Sequence, residues 1–395
     1  MSARHDIAVI GGGIAGLVAA AAFASAGHSV ALLDPAPPVT DPAAAGADMR
    51  STAFLRAGRD LFEHIGVWGA LAPHATPLEA LRIVDTAGTP ASLRGERMFS
   101  GEQAGGEPFG WNLQNWRVRA VLLAHLEQMP NVRLMFGTAL RALTPRLNEV
   151  IITPQGGPQL RARLLIGADG RGSSVRDQLG IGAKTIRYGQ KSLAFVARHA
   201  VAHNNISTEI YHEGGPFTMV PLPDHDGAPA SAIVWMNQGA QAQRLRTLDP
   251  AAFDAEMTAR AAHLFGDMQR ISPMGIFPII TQTADRLVGG RCALIAEAAH
   301  VLPPIGAQGL NSSLGDIAAL LAQASRHELG SPAMMEAYER ARLPDMRARA
   351  RAIDLFNRVT RAPDALSQSL RLAGLRAAHD LPALRHGLIR AGLGQ

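Results

Sequence analysis

The stretch Ile7-Ala-Val-Ile-Gly-Gly-Gly-Ile-Ala-Gly16 decides the fold. Four apolar residues, three successive glycines and an alanine-rich run to Ala26 read as strand, tight turn and helix. Ser29 to Asp34 reads as the next strand, which completes a βαβ opening. Gly11, Gly13 and Gly16 fit the pattern G-x-G-x-x-G in the strand-to-helix context that a dinucleotide requires. Gly11 allows the turn, Gly13 lets the backbone approach a pyrophosphate, and Gly16 lets helix and strand pack closely. The helix start at Ile14-Ala15 then offers free N–H groups and a partial positive charge to the phosphates. Asp34, 23 residues after Gly11, stands where a carboxylate accepts ribose hydroxyls.

The same stretch has a rival reading. Arg4, an apolar run and Ala24-Ser25-Ala26 imitate a secretory leader. Asp6 and the three glycines interrupt that pattern, so the nucleotide-binding reading stands and a cytoplasmic, reducing location is expected. No run of about 20 apolar residues free of Gly and charge offers a membrane span.

Working outward, 395 residues with 47% apolar and 18% charged side chains describe a folded chain with a substantial core. The single cysteine, Cys292, excludes an internal disulfide and cysteine-based zinc sites, and no metal is expected. The net charge of +5 is uneven: from Arg340 onward eleven Arg stand against four Asp, a net of +7, so the preceding residues sum to −2. That distribution argues against nucleic acid and raises the question of what the basic end is for.

The fold class expected is α/β: a Rossmann-like dinucleotide-binding domain, an inserted antiparallel β-sheet domain and C-terminal helices. Residues 1–184 form the first part of the binding domain, with minor substrate-side segments near 75–112; residues 185–285 form the inserted sheet. Residues 286–330 return to the binding domain, and 331–395 form a helical end. The inserted sheet rests on Ser192–Arg198, Ser207–Tyr211, Phe217–Leu222 and Ala232–Asn237, separated by Gly, Pro, Asn and Asp.

Two later segments narrow the cofactor. In Leu165-Ile-Gly-Ala-Asp-Gly-Arg-Gly-Ser-Ser-Val-Arg176 a buried strand runs into Asp169-Gly170 and a helix start. In Leu294-Ile-Ala-Glu-Ala-Ala-His-Val-Leu-Pro-Pro-Ile-Gly-Ala-Gln-Gly-Leu-Asn311 a strand runs into an acid, a Pro-Pro corner and a glycine-rich helix start. With these residues the sequence resembles the flavin-dependent aromatic hydroxylases of the p-hydroxybenzoate hydroxylase type, and within them the ubiquinone-biosynthesis hydroxylase family. The resemblance covers nearly the whole chain and includes Asp48-Met-Arg50, Gln114-Asn115 and Tyr338-Glu-Arg-Ala-Arg-Leu-Pro-Asp345.

The resemblance implies FAD as cofactor, NAD(P)H as reductant and O2 as co-substrate. It implies that Gly11, Gly13, Ile14, Ala15 and Gly16 hold the pyrophosphate and Asp34 the adenosine ribose. Arg50 would lie near the phosphates or flavin edge, Gln114 near the ribityl chain, and Asp169 and Gly170 by FAD and the path of NAD(P)H. Glu297 would bind a hydroxyl on the ribityl or phosphate side. Pro303 and Pro304 would border the flavin face, with Gly309, Leu310 and Asn311 at its pyrimidine end. Two departures stand out: Ala296-Glu297 replaces the family's Gly-Asp, and Ala307 replaces the first glycine of its Gly-Gln-Gly.

The implied reaction is hydroxylation of the ring of a prenylated phenol in ubiquinone biosynthesis. The alternatives are a hydroxylase for a small soluble phenol and a non-catalytic FAD-binding accessory protein of a quinone-biosynthesis complex. A flavin halogenase does not fit, because Trp111 and Trp116 do not form that family's Trp-x-Trp-x-Ile-Pro motif. Strand alternation puts Phe217 and Met219 on one face, either as pocket wall or as plain core. His300, among small and apolar residues, reads as a packed structural histidine, and no catalytic base can be named. The basic end points to an anionic membrane surface, on its inner face, or to other quinone-biosynthesis proteins as partners. Homo-oligomerisation is left open.

Overall fold

The computed structural model describes residues 3–88, 91–101, 106–212 and 214–361. The residues beyond 361, on which much of the reading of the basic end rests, lie outside the described residues.

Ala3–Ile10 is the centre of the first sheet. It pairs in parallel with Val30–Asp34 on one side and Leu160–Gly167 on the other; Val132–Phe136 and Cys292–Leu294 extend the sheet outward. A hairpin, Leu140–Pro145 with Val150–Pro154, adds antiparallel strands to its margin. The stretch that imitates a leader is therefore the innermost strand and helix of the core.

The helix Ile14–Ser25 shows why alanine dominates there. Ile14 to Ala24 are all buried, because the helix is covered by the sheet, by Asn115–Glu127 and by Gln308–Ala324. A helix enclosed on every side needs small side chains all round rather than one apolar stripe.

The second sheet holds Ala183–His199, Ile206–His212, Gly215–His225, Ala228–Gln238 and Gly275–Ala284, antiparallel to their sheet neighbours. It also recruits Ala80–Ala87, parallel to Ile206–His212, and Ser92–Ser100 beside it. Its two faces differ. Leu193, Trp235 and Phe217 are register partners and point to one side, where Ala242, Leu245, Phe253 and Met257 of two short helices cover them. Ala194, Val234 and Thr218 are one residue out of step and point to the other side, toward the nucleotide-binding half.

The long helix Pro332–Arg361 returns across the molecule with Pro344 in its interior. Tyr338 buries its ring completely and donates its hydroxyl proton to Leu294 O at 2.9 Å. Farther along, Ile353 joins Tyr188, Met236, Ile279 and Ile305 in a small core that connects the helix, the second sheet and the Pro-Pro loop.

Candidate active site

Five segments far apart in sequence meet at the carboxyl ends of the parallel strands, where ligands bind in open α/β sheets. Gly11 has φ +115°, and a Cβ there would lie 2.3 Å from Ala168 O. A Cβ on Gly16 would lie 1.9 Å from Gly11 O. These two glycines are required by the fold. Gly13 differs: a Cβ there would meet nothing within 4 Å, and the residue opens a helix without a side-chain cap. The backbone over Gly13 is thus a cradle facing open space at a positive helix end. Asp34 closes its far side, accepting from Gly12 N–H at 2.5 Å and from Ala36 N–H at 2.9 Å.

Asp169 lies beside this cradle, but its oxygens are already in use. They accept from Ser173 Oγ, Ser174 Oγ and the Val175 N–H, so the side chain shapes the start of the helix Ser174–Gln178. Gly170, at φ +80°, completes that turn. Buried Arg176 ties the turn to the next motif by donating to Arg171 O and to Ala298 O, each at 3.1 Å.

Arg50 forms a forked pair with Asp48, Nε to Oδ1 at 2.7 Å and an amino group to Oδ2 at 2.8 Å, and its guanidinium lies 4.5 Å from the Phe277 ring centre. Asn115 and Arg119 also donate to Asp48. Burial disfavours the Asp48 charge, but Arg50, Asn115 and Arg119 outweigh it and hold the carboxyl below the usual range. Desolvation opposes the Arg50 charge as well; Asp48, and beyond it Glu297, reverse the balance and keep the guanidinium firmly protonated. Gln114 ends the strand Gly110–Gln114 opposite Ser51 and stands at the N-terminal position before the helix that Asn115 begins, without a side-chain cap. Beside this network lies a cavity of about 360 Å3, bordered by Met49, Arg50, Arg119, Ala194, Met274 and Phe277.

The Glu297 side chain is exposed at the turn Ala296–Ala299. Both departures from the family pattern now have a geometry: Ala296 and Ala307 each sit at φ +55°, the left-handed region that favours glycine. Gly309 faces open space, since a Cβ there meets nothing within 4 Å, and Leu310 is half-buried beside it. The helix Gln308–Ala324 has no side-chain cap, so its first N–H groups are available to a ligand. The Asn311 side chain is not: it accepts from Leu55 N–H and donates to Ala53 O and Ala307 O. Pro303 is buried and Pro304 exposed at the corner before this helix.

Phe217 and Met219 require a correction. Both are buried on the helix-covered face of the second sheet with Trp235, Phe253 and Met257, and so form core rather than pocket wall. The face toward the cavity is the other one, which carries Ala194. Alternation gave the shared face correctly; which face met the helices depended on helices that follow later in the chain.

Three contributors were not singled out from sequence. Asp316, fully buried, accepts from Ala296 N–H, from His300 Nε2 at 2.7 Å and from Arg342 Nε at 2.9 Å. Burial pushes against its charge, but His300, Arg342 and the Ala296 amide together hold the carboxyl below the usual range. His300 is thus the structural histidine that its neighbours suggested. Glu209, on the cavity-side face of the second sheet with Ala194, accepts from Tyr211 Oη at 2.6 Å and from the Gly306 N–H; burial pushes its carboxyl pKa up despite both donors. Gln308 accepts from Arg349 and donates to Gly306 O. Sequence signals existed for Arg342, inside the C-terminal pattern, but none for its partner.

Residues 4–352 match the protein family described as FAD binding domain. The chain belongs to this family. It is 32% identical to ubiquinone hydroxylase UbiL of Rhodospirillum rubrum over 98% of this chain and 89% of that protein. It is 26% identical to 3-demethoxyubiquinol 3-hydroxylase of Escherichia coli over 98% of each chain. Its fold matches the crystal structure of p-nitrophenol 4-monooxygenase PnpA from Pseudomonas putida DLL-E4 with a TM-score of 0.77, at 17% identity, covering 100% of this chain and 99% of that one. The protein is an FAD-dependent monooxygenase, as the motif order implied. The cradle over Gly13, the Asp34 carboxylate and the uncapped helix at Gly309 fit that cofactor.

Proposed function

We propose that this monooxygenase hydroxylates the aromatic ring of a prenylated phenol that is a precursor of ubiquinone. The observation that carries the substrate class is the cavity of about 360 Å3 between the second sheet and the Asp48–Arg50 segment. Its walls include Met49, Ala194, Met274 and Phe277, apolar groups suited to an aromatic ring and the first part of a hydrocarbon chain. The names of the relatives support the same reading.

FAD, when bound, supplies hydride acceptance from NAD(P)H and activation of O2 for transfer of one oxygen atom to the ring. This chain's residues supply placement. The N–H groups from Gly13 to Gly16, at the start of the first helix, bind the pyrophosphate and Asp34 the ribose hydroxyls. The N–H groups at Gly309 and Leu310, with the dipole of their helix, stabilise negative charge that develops at the pyrimidine end of the ring. Met49, Ala194, Met274 and Phe277 offer the apolar part of the cavity wall to the ring, and Asp48, Arg50 and Arg119 its charged part.

A prenylated substrate resides in lipid, and the long helix ends with exposed Leu355 and Phe356 beside exposed Arg351 and Arg358. That combination suits peripheral contact with an anionic membrane surface. No described helix is long and apolar enough to cross a membrane.

The test is NAD(P)H consumption by the FAD-loaded protein with a prenylated phenol and with its unprenylated counterpart, products identified by mass. A product gaining one oxygen atom, formed faster from the prenylated compound, is expected. Faster turnover of the unprenylated phenol refutes the substrate class. NAD(P)H oxidation without any hydroxylated product, for either compound, refutes the hydroxylase reading.

A further inference from the structure

Of three alanines in left-handed conformation among the described residues, Ala262, Ala296 and Ala307, the last two lie in the segments that the family resemblance places beside FAD. A residue with a Cβ holds that conformation at a cost that glycine does not meet, so contacts that fix such a turn matter more there. Besides Asn311, which donates to Ala307 O, and His300, which donates to Asp316, one set of contacts at both turns shares a source. Arg342 donates to Asp316, whose Oδ2 accepts the Ala296 N–H. Arg349 donates to Gln308 Oε1 at 2.8 Å, and Gln308 Nε2 donates to Gly306 O at 3.0 Å, next to Ala307. Arg342 and Arg349 are seven residues apart, so they share one face of the helix Pro332–Arg361. Asp345 between them pairs with both, at 2.7 Å and 2.9 Å.

We infer that Arg342 and Arg349 are positioning residues: one face of the C-terminal helix holds both flavin-flanking turns in a conformation that glycine would adopt unaided. The arginines act through Asp316 and Gln308 and do not touch the reacting atoms. The reading explains why the chain carries alanine at both turns without losing the site. It also gives part of the arginine-rich end an internal role. It rests on these turns flanking FAD and is independent of which phenol is hydroxylated.

The test is a rescue experiment on the full-length apoprotein titrated with FAD, with flavin fluorescence and visible absorption as readouts and thermal melting as the folding control. Arg349→Met is expected to weaken FAD binding roughly tenfold, the loss of one hydrogen bond to a charged group. It should also alter the bound-flavin spectrum while moving the melting point little. Ala307→Gly in the same chain is expected to restore binding to within about threefold of wild type, because glycine needs no enforcement. Ala296→Gly should not restore it, since that turn belongs to the Arg342 branch. Arg349→Lys, which keeps a donor, should fall between. The inference is overturned if Arg349→Met binds FAD normally, if Ala307→Gly fails to rescue it, or if Ala296→Gly rescues it equally well, which would reduce the effect to general stability. The Arg342 arm repeats the design with Ala296→Gly, but the Arg349 arm decides even where Arg342→Met does not fold.

Discussion

Gly13→Ala separates the need of the fold from the need of the cofactor. Gly13 has φ −69° and ψ 172°, extended backbone open to any residue. An added Cβ meets no atom within 4 Å. Alanine at a helix N-cap costs a few tenths of a kcal/mol or more relative to glycine. Restricting the unfolded chain returns about 0.4–1 kcal/mol. The net change in apoprotein stability is therefore expected within about 0.5 kcal/mol, a melting shift of no more than about 2 °C. The new methyl does occupy the space where a pyrophosphate must approach the backbone N–H groups. Losing one such charge-assisted bond costs about 1.5–3 kcal/mol, or roughly 10- to 150-fold in affinity. The assay is FAD titration by fluorescence quenching, with apoprotein melting in parallel. Gly16→Ala is the contrast: its Cβ would fall 1.9 Å from a backbone oxygen, so the apoprotein itself should lose about 1–3 kcal/mol or more. Wild-type FAD affinity in Gly13→Ala would refute the placement of the pyrophosphate, and a collapse of its apoprotein stability would refute the open cradle.

Other outcomes follow from single sites. The Cys292 thiol is fully buried and pushed up to about 12 by burial, so it should stay silent toward a thiol reagent at pH 8 and react fully only after unfolding. Asp316→Asn leaves Arg342 without its buried partner and should destabilise by about 3–5 kcal/mol at neutral pH. Because the folded Asp316 pKa lies below its unfolded value near 3.9, its contribution is present above that value and lost as pH falls through the folded one. The gap between wild type and Asp316→Asn, measured by urea melts, should accordingly narrow below about pH 4. Glu297 is exposed at its turn, so Glu297→Gln should change stability by less than about 0.5 kcal/mol. Any larger loss in urea melts would show that the fold depends on that carboxylate.

Local chemistry made much of the site legible in the chain itself. Three glycines between an apolar strand and an alanine-rich helix have few uses besides a phosphate turn, and their spacing to Asp34 follows from the length of one βαβ unit. The strands of the inserted sheet were readable because alternation and turn residues are local. The recruitment of Ala80–Ala87 and Ser92–Ser100 was expected only as substrate-side segments near 75–112; that Ala80–Ala87 joins Ile206–His212 was not readable, because a parallel pairing across more than a hundred residues leaves no local mark. For Phe217 and Met219, pocket wall and plain core both stood open for a related reason: period-two alternation tells which residues share a face and nothing about what covers it, and the structure makes them core.

The sequence by itself determined the βαβ cradle, because it depends on residues within one strand, turn and helix; the cofactor class came from the family resemblance that three motifs along the chain carry. Tertiary structure decided which polar groups are spent and which are free. Asp169 is occupied by its own turn and Asn311 by the distant strand at Ala53 and Leu55; Asp316 and Glu209, unremarkable in the chain, are buried carboxylates that take donors from Arg342 and Gly306, far away in sequence. Tertiary structure also gave the basic end part of its meaning, by turning Arg342 and Arg349 inward onto Asp316 and Gln308. The physical reason is that a hydrogen bond or an ion pair belongs to a place in space, and the chain reaches that place only after its long helix has crossed back over the sheet.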